Sequence, residues 1–289
     1  MFTGSYRGFD VTLESPGIGI ITFNQPERLN GLTHHTKRDL VEVLTQAQMR
    51  DEVRVIVFTG SGRAFSAGDD ITGRPQPGGE NTVMPGIPRG HDTGIGTYEG
   101  LRVNSQPVNQ AIRKLDKLTI AAINGFAIQT GMSLALSCDF RIASTEARIG
   151  SGTLRFGLLP DEGGHFLLVQ LLGVAKAMDF MMRNRIVGGE EAQELGLVHE
   201  TVQPGELMPR TMELAQELAN GPQVAMRLLK STIYNAAEVT FAQSLDDIAG
   251  KTAISDHHPD AREGVAAFRD KRKPRFNAWL EEKEPSEPR

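Results

Sequence analysis

Residues 118–143, LTIAAINGFAIQTGMSLALSCDFRIA, decide the fold. Leu118–Ile123 is a short apolar run that predicts a strand, and Gly125-Phe126 turns the chain. Thr130–Ser137 carries small and apolar residues at helical spacing, and Asp139–Ala143 predicts the next strand. The uncharged stretch Leu118–Cys138 is long enough to span a bilayer. Asn124, Gln129, Thr130, Ser133 and Ser137, with Gly125 and Gly131 between them, favour strand, turn and helix instead, and no membrane association is expected.

The same order recurs upstream. Val53–Phe58 (VRVIVF) reads as a strand buried on both faces and ends in Thr59-Gly60-Ser61-Gly62. Before it, Val11–Glu14 and Ile18–Phe23 flank Ser15-Pro16-Gly17 as a hairpin. A helix follows from about Thr33, with Leu40, Val43, Leu44 and Ala47 on its inner face. Repeated strand, glycine turn and helix indicate an α/β fold. Downstream of residue 160 the pattern turns helical: 164–172, 174–183, 190–195, 206–219, 223–235, 241–255 and 261–271 all read as helices, the last with Val265 and Phe268 inward. A short strand at 198–202 interrupts them. The expected organisation is a core over 1–200 and a helical region over 201–289. Gly73–Gly100, crowded with Gly and Pro, has no period; it reads either as a lid over a site or as a solvated insertion.

Composition narrows the class. The 289 residues have a net charge of −5, which disfavours nucleic acid as a partner. A single cysteine, Cys138, excludes an intrachain disulfide framework and zinc-ribbon spacings. The seven histidines form no metal spacing. No N-terminal stretch has the order of a signal peptide, so the cytoplasm is the expected compartment. The 31 glycines cluster in turns, where backbone must come close to something.

Three turns could carry chemistry. Ala64–Ile71 (AFSAGDDI) follows a buried strand, and its free N–H groups could receive an anion; a plain turn has the same spacing. Asn124–Ser133 opens a helix whose first N–H groups lack internal partners. Side by side, two such turns would offer two donors to one oxygen. The third, Leu158–His165 (LLPDEGGH), sets Asp161 and Glu162 before a helix start. Asp161 could be its N-cap and Glu162 a first-turn acid, or one of them a general base against an apolar wall. Ser133 and His165 lack the G-x-S-x-G elbow of a serine hydrolase.

In this order the segments resemble the crotonase (enoyl-CoA hydratase/isomerase) superfamily. Asn24–Asn30 (NQPERLN), Ala64–Ile71, Ala121–Ala127, Cys138–Ala143 and Ala261–Phe268 with the following Lys/Arg run each match a family segment. The resemblance implies a spiral of ββα turns with a helical C-terminal trimerisation region, a homotrimer or homohexamer, an acyl-CoA thioester as ligand, and no cofactor beyond the CoA of the substrate. It implies an oxyanion hole from the N–H groups of Asp69 and Thr130. It also implies CoA or substrate contacts at Arg28, Leu29, Ala64, Ser66, Ala67, Gly68, Asp70, Ile71, Phe126, Thr153, Pro160, Phe268 and Lys271, with Arg28 and Lys271 meeting phosphate. Phe126, Ile128, Met132 and Phe156 are expected as apolar walls.

The family's hydratases carry two glutamates, and their positions here hold Ser133 and Thr153. Gln129-Thr130 also replaces the usual glycines. GLLPDEGGHFLL is similar to the single-carboxylate isomerases, which implies Asp161 as acid/base with Glu162 in reserve. The expected function is enoyl-CoA isomerisation. The alternatives are hydration through Glu162 or Asp161, and a non-catalytic acyl-CoA-binding protein.

Overall fold

In the central strands every second side chain faces the same way, and here both faces are apolar. A computed structural model describes residues 2–70 and 93–280. Its strands are β1 (Gly4–Tyr6), β2 (Phe9–Glu14), β3 (Ile18–Phe23), β4 (Val55–Gly60), β5 (Ala64–Ser66), β6 (Leu118–Ile123), β7 (Phe126–Ile128), β8 (Phe140–Ser144), β9 (Arg148–Gly150), β10 (Ile186–Gly188) and β11 (Glu200–Val202). Seven of them form one sheet in the order β1-β2-β3-β4-β6-β8-β11, and four form a second in the order β10-β9-β7-β5. From β3 through β11 the large sheet is parallel, and β2–β3 is the expected hairpin. Each long strand β4, β6 and β8 is followed by a short one in the second sheet, so the chain winds as repeated ββ steps.

The helices are α1 (His34–Gln48), α2 (Gly94–Gly100), α3 (Gln106–Lys114), α4 (Thr130–Ser137), α5 (Gly164–Met182), α6 (Gly189–Leu195), α7 (Leu207–Ala219), α8 (Gln223–Ala236), α9 (Phe241–Asp256) and α10 (Pro259–Arg269). Ile21, Phe23, Ile56, Phe58, Ala121 and Ile123 pack into the core beneath α1, α3, α4 and α5. Ile18, Ile20, Val55, Val57, Ile120, Ala122 and Ile142 point the other way and meet Leu207, Ala215, Leu218 and Ala219 of α7. Burying each such side chain contributes roughly 1.5–3 kcal/mol. The core thus draws on β11 and α7, beyond residue 200.

Thr33 caps α1 by accepting from the Thr36 N–H at 3.3 Å, and the expected apolar face is buried. Residues 118–138 fold as β6, β7 and α4, with α4 wholly buried. α5 is long and apolar enough to cross a membrane by length and composition. Gly173, at φ 74 and ψ 165, breaks it where the sequence separates two helices.

Three expectations change. The 73–100 segment ends in α2, which runs through a π-helical turn (Leu101–Ser105) into α3; the rest of the expected lid, through residue 92, lies outside the described residues. In α10, Val265 and Phe268 are exposed, and the inward residues are Ala267 and Asp260. Met132 lies fully in the core and so forms no wall, while Phe156 is exposed.

Candidate active site

Asn30 builds the first turn. Buried and at φ 55, it accepts the Gln25 N–H and donates to the carbonyls of Ala64 at 2.7 Å and Ser61 at 3.0 Å. Its own carbonyl accepts the Ser66 hydroxyl at 2.8 Å. The Ala67 N–H donates to the Leu29 carbonyl, Leu32 donates to Gly68, and Asp70 donates to Leu32. Because Asp70 points its N–H at Leu32, backbone alternation turns the Asp69 N–H to the opposite side. Gly68 at φ 99 is required there: a Cβ would lie 3.0 Å from the Ile128 carbonyl, 3.2 Å from Gln129 Cβ and 3.6 Å from the Thr130 nitrogen. Its absence lets the first turn close on the second.

The second turn pivots on Gln129, at φ 53 and ψ −110, a conformation glycine adopts without strain. Here it is held by side-chain and backbone bonds: its N–H donates to the Gly150 carbonyl at 2.9 Å, and its amide oxygen accepts the Ser151 hydroxyl at 2.7 Å. Thr130 follows as the first residue of α4, and its N–H has no helical partner. The Asp69 and Thr130 amides make no hydrogen bond among the described residues. The Thr130 hydroxyl lies 2.9 Å from Asp69 Oδ1 and 2.9 Å from Glu162 Oε1, so it shares one proton between two carboxylates.

The third turn joins these two. Gly163, at φ 91, is the residue before α5, so Asp161 is not its N-cap. Gln106 Nε2 donates to the Asp161 carbonyl at 3.2 Å and Asn109 Nδ2 to the Glu162 carbonyl at 2.6 Å. Glu162 is 3% exposed. Its carboxyl receives Lys37 Nζ at 3.3 Å and lies within hydrogen-bonding reach of the Asp161 carboxyl. Burial pushes the Glu162 carboxyl above the usual carboxylate range; Lys37 and Thr130 oppose this, and Asp161 adds to it.

Lys37, 1% exposed, also meets Asp69 Oδ1 at 2.8 Å and Ser105 Oγ at 2.9 Å. Sequence reading missed it. The available signal was a lysine one turn before Leu40, on the apolar face of α1. Ser105, Gln106 and Asn109 were missed too, because no helix was expected over 101–114.

Asp69, Thr130, Asp161 and Glu162 therefore converge, with Leu29, Ala67 and Gly68 in the frame around them. Other candidates fall elsewhere. Arg28 is ion-paired with Asp70 across the first turn, and both side chains are largely buried. Ala64 and Ser66 are fully buried behind the turn and shape the site without lining it. Phe126 is half-buried on β7. The Thr153 hydroxyl lies 3.2 Å from Ser151, and the Pro160 carbonyl meets the His165 ring. Ile71 lies outside the described residues. No hydrogen bond or ion pair of the described residues links Phe268 or Lys271 to the turns; α10 packs on α9. A cavity of about 890 Å³ sits apart from this site, and Glu190, Glu194, Glu206 and Glu213 give it an acidic wall unsuited to an anionic ligand.

Ser133 is fully buried, and a Cβ on Gly164 would lie 2.4 Å from its hydroxyl. No metal-holding group of His, Cys, Asp or Glu occurs among the described residues.

Comparison with known proteins agrees with this architecture. Residues 14–279 match the family model for enoyl-CoA hydratase/isomerase. The chain is 33% identical to the 1,2-epoxyphenylacetyl-CoA isomerase of Escherichia coli, covering 90% of this chain and 95% of that one. It is also 33% identical to a probable enoyl-CoA hydratase of Rhodobacter capsulatus, covering 91% and 95%. The crystal structure of an enoyl-CoA hydratase from Bacillus anthracis superposes with a TM-score of 0.83 at 28% identity, covering 93% of this chain and 99% of that one. With two paired turns, a carboxyl pair beside them and a match over nearly its whole length, the chain belongs to the enoyl-CoA hydratase/isomerase family.

Proposed function

We propose that this family member is an enoyl-CoA isomerase in which Asp161 moves a proton between two carbons of an acyl-CoA thioester. The observation that carries the reading is the substitution of both hydratase glutamates. Ser133 is sealed against α5 and Thr153 is tied to Ser151, while the Asp161–Glu162 pair stands next to both turns. The thioester oxygen accepts the Asp69 and Thr130 N–H groups. As Asp161 removes a proton from the carbon chain, charge builds on that oxygen, and two preorganised donors stabilise it by about 3 kcal/mol each. Asp161 then returns the proton at the other end of the conjugated system. One carboxylate suffices because no water is added.

The exposed apolar side chains of α5, among them Phe166, Val174 and Met178, and of α8 to α10, among them Ile233, Phe241 and Phe268, suit association of this chain into a trimer or hexamer.

The test is deuterium exchange and double-bond migration in 3-hexenoyl-CoA. Asp161→Asn is expected to lose about 10²–10⁴-fold in rate while still binding the thioester. Full activity in that variant overturns the assignment. Incorporation of ¹⁸O from labelled water into product marks a hydratase instead.

A further inference from the structure

Glu162 is the most enclosed carboxyl at the site, and its two oxygens are treated differently. Oε1 receives both the Thr130 hydroxyl and the Lys37 ammonium. Oε2 is buried with no hydrogen-bond partner among the described residues. An unpartnered buried carboxylate oxygen is costly unless a proton comes to it. The Asp161 carboxyl adjoins Glu162, and it has a proton to donate whenever it is protonated.

Resting on the isomerase reading, we propose that Lys37 is a positioning residue. Its buried ammonium favours the ionised form of Glu162 against the effect of burial, with one oxygen left open to accept a hydrogen bond from Asp161 once Asp161 has taken a proton from the substrate. The step balances without a co-reactant. The C–H electron pair passes into the enolate, and the proton passes to an Asp161 oxygen. The new Asp161 O–H donates to Glu162 Oε2, and the proton then leaves Asp161 for the other carbon.

Lys37 has a second effect. Asp69 contributes its N–H to the oxyanion pair, yet its own carboxylate sits at the same turn and would repel an enolate. Lys37, at 2.8 Å, neutralises that charge. The π-helical turn before α3 supplies Ser105 to Lys37, and α3 supplies Gln106 and Asn109 to the backbone of Asp161 and Glu162. Such turns recur at functional sites. Among the described residues, the charged groups that act on Glu162 are Lys37 of α1 and the adjacent Asp161, and Lys37 in turn meets Asp69 of the first turn and acts on His34 of α1. Burial and Lys37 push the His34 imidazole down, toward its neutral form.

Carboxyl infrared bands, titrated in the unliganded protein, test this without a substrate. The Glu162 band is identified by its loss in Glu162→Gln. In Lys37→Met it is expected to titrate higher by about one pH unit or more, as loss of a nearby opposite charge requires. The acid limb of isomerisation is expected to move the same way, so that activity lost near neutrality recovers at higher pH. A purely structural role for Lys37 would lower the rate at every pH. Should Lys37→Met not fold, Lys37→Gln serves the same measurement. An unmoved Glu162 titration overturns the proposal, even where Asp161→Asn behaves as expected. An active Asp161→Asn variant fails the isomerase reading and leaves the titration result standing.

Discussion

Lys37 and Lys230 are both buried against carboxylates, and they are finished differently. Lys230 of α8 meets Asp139 Oδ2 at 2.8 Å and the Lys117 carbonyl at 2.8 Å. Asp139 Oδ2 also accepts the Thr119 N–H at 2.7 Å and its hydroxyl at 3.0 Å, and Oδ1 accepts the Tyr234 hydroxyl at 2.7 Å. Both oxygens are occupied, and the cluster staples α8 to the strands β6 and β8. At the Lys37 cluster, Glu162 Oε2 and the nearby Ser133 hydroxyl have no partner among the described residues. A saturated buried network lowers energy and specifies geometry. An open one retains a group whose protonation can change. Equal burial thus separates a structural pair from a reactive one only when the hydrogen bonds are counted.

The comparison is broken most directly at Asp139. Removing one partner of a buried pair strands the other, so Asp139→Ala is expected to lose about 3–5 kcal/mol in urea denaturation. Isomerisation by the molecules that remain folded should be unchanged. A loss below about 1 kcal/mol, or a drop in turnover per folded molecule, would show that the two clusters do not divide as described.

Glu162→Gln is the matched experiment on the other side, and its effect is read in the pH dependence of stability. The folded state raises the Glu162 carboxyl above its ordinary 4.5. Between that value and its folded pKa the native protein therefore binds more protons than the unfolded chain. The stability Glu162 contributes is complete below about pH 4.5 and fades as pH rises through the folded value. Glu162→Gln abolishes this dependence. The stability difference between variant and parent should therefore shift in the variant's favour as pH rises above 4.5, while its isomerisation slows. Parallel stability–pH curves for the two proteins would contradict the burial argument.

How much of this was legible in the sequence depends on the range of the interaction involved. The doubly buried strands, the hairpin, the Thr33 cap and the two glycine turns follow from local periodicity and turn chemistry, and all are present. Asp161 and Glu162 were visible as a pair before a helix, but which of them is enclosed was not. That is decided by Lys37, Thr130 and Asn109, which reach Glu162 from 125, 32 and 53 residues away in the chain. The pairing of Arg28 with Asp70 across the first turn lay beyond local pattern for the same reason. Phe268 looked inward because a helical period sets the relative phase of side chains and not the face a neighbouring helix covers.

The smallest expected effect is at Ser133, and it tests whether an open hydrogen bond is itself a mark of function. Its hydroxyl is as unpartnered as Glu162 Oε2, yet it faces Gly164 and not the carboxyl pair. A hydroxyl has little tendency to change protonation, so its open bond is only an energetic cost, of order 1 kcal/mol. Ser133→Ala removes that cost and leaves a methyl against the start of α5. Its thermal midpoint should stay level or rise slightly, with the rate on 3-hexenoyl-CoA unchanged. A tenfold fall in rate in a stably folded Ser133→Ala protein would return the hydratase position to the chemistry. The contrast would then have to be drawn between sites near and far from the two turns, and not between saturated and open clusters.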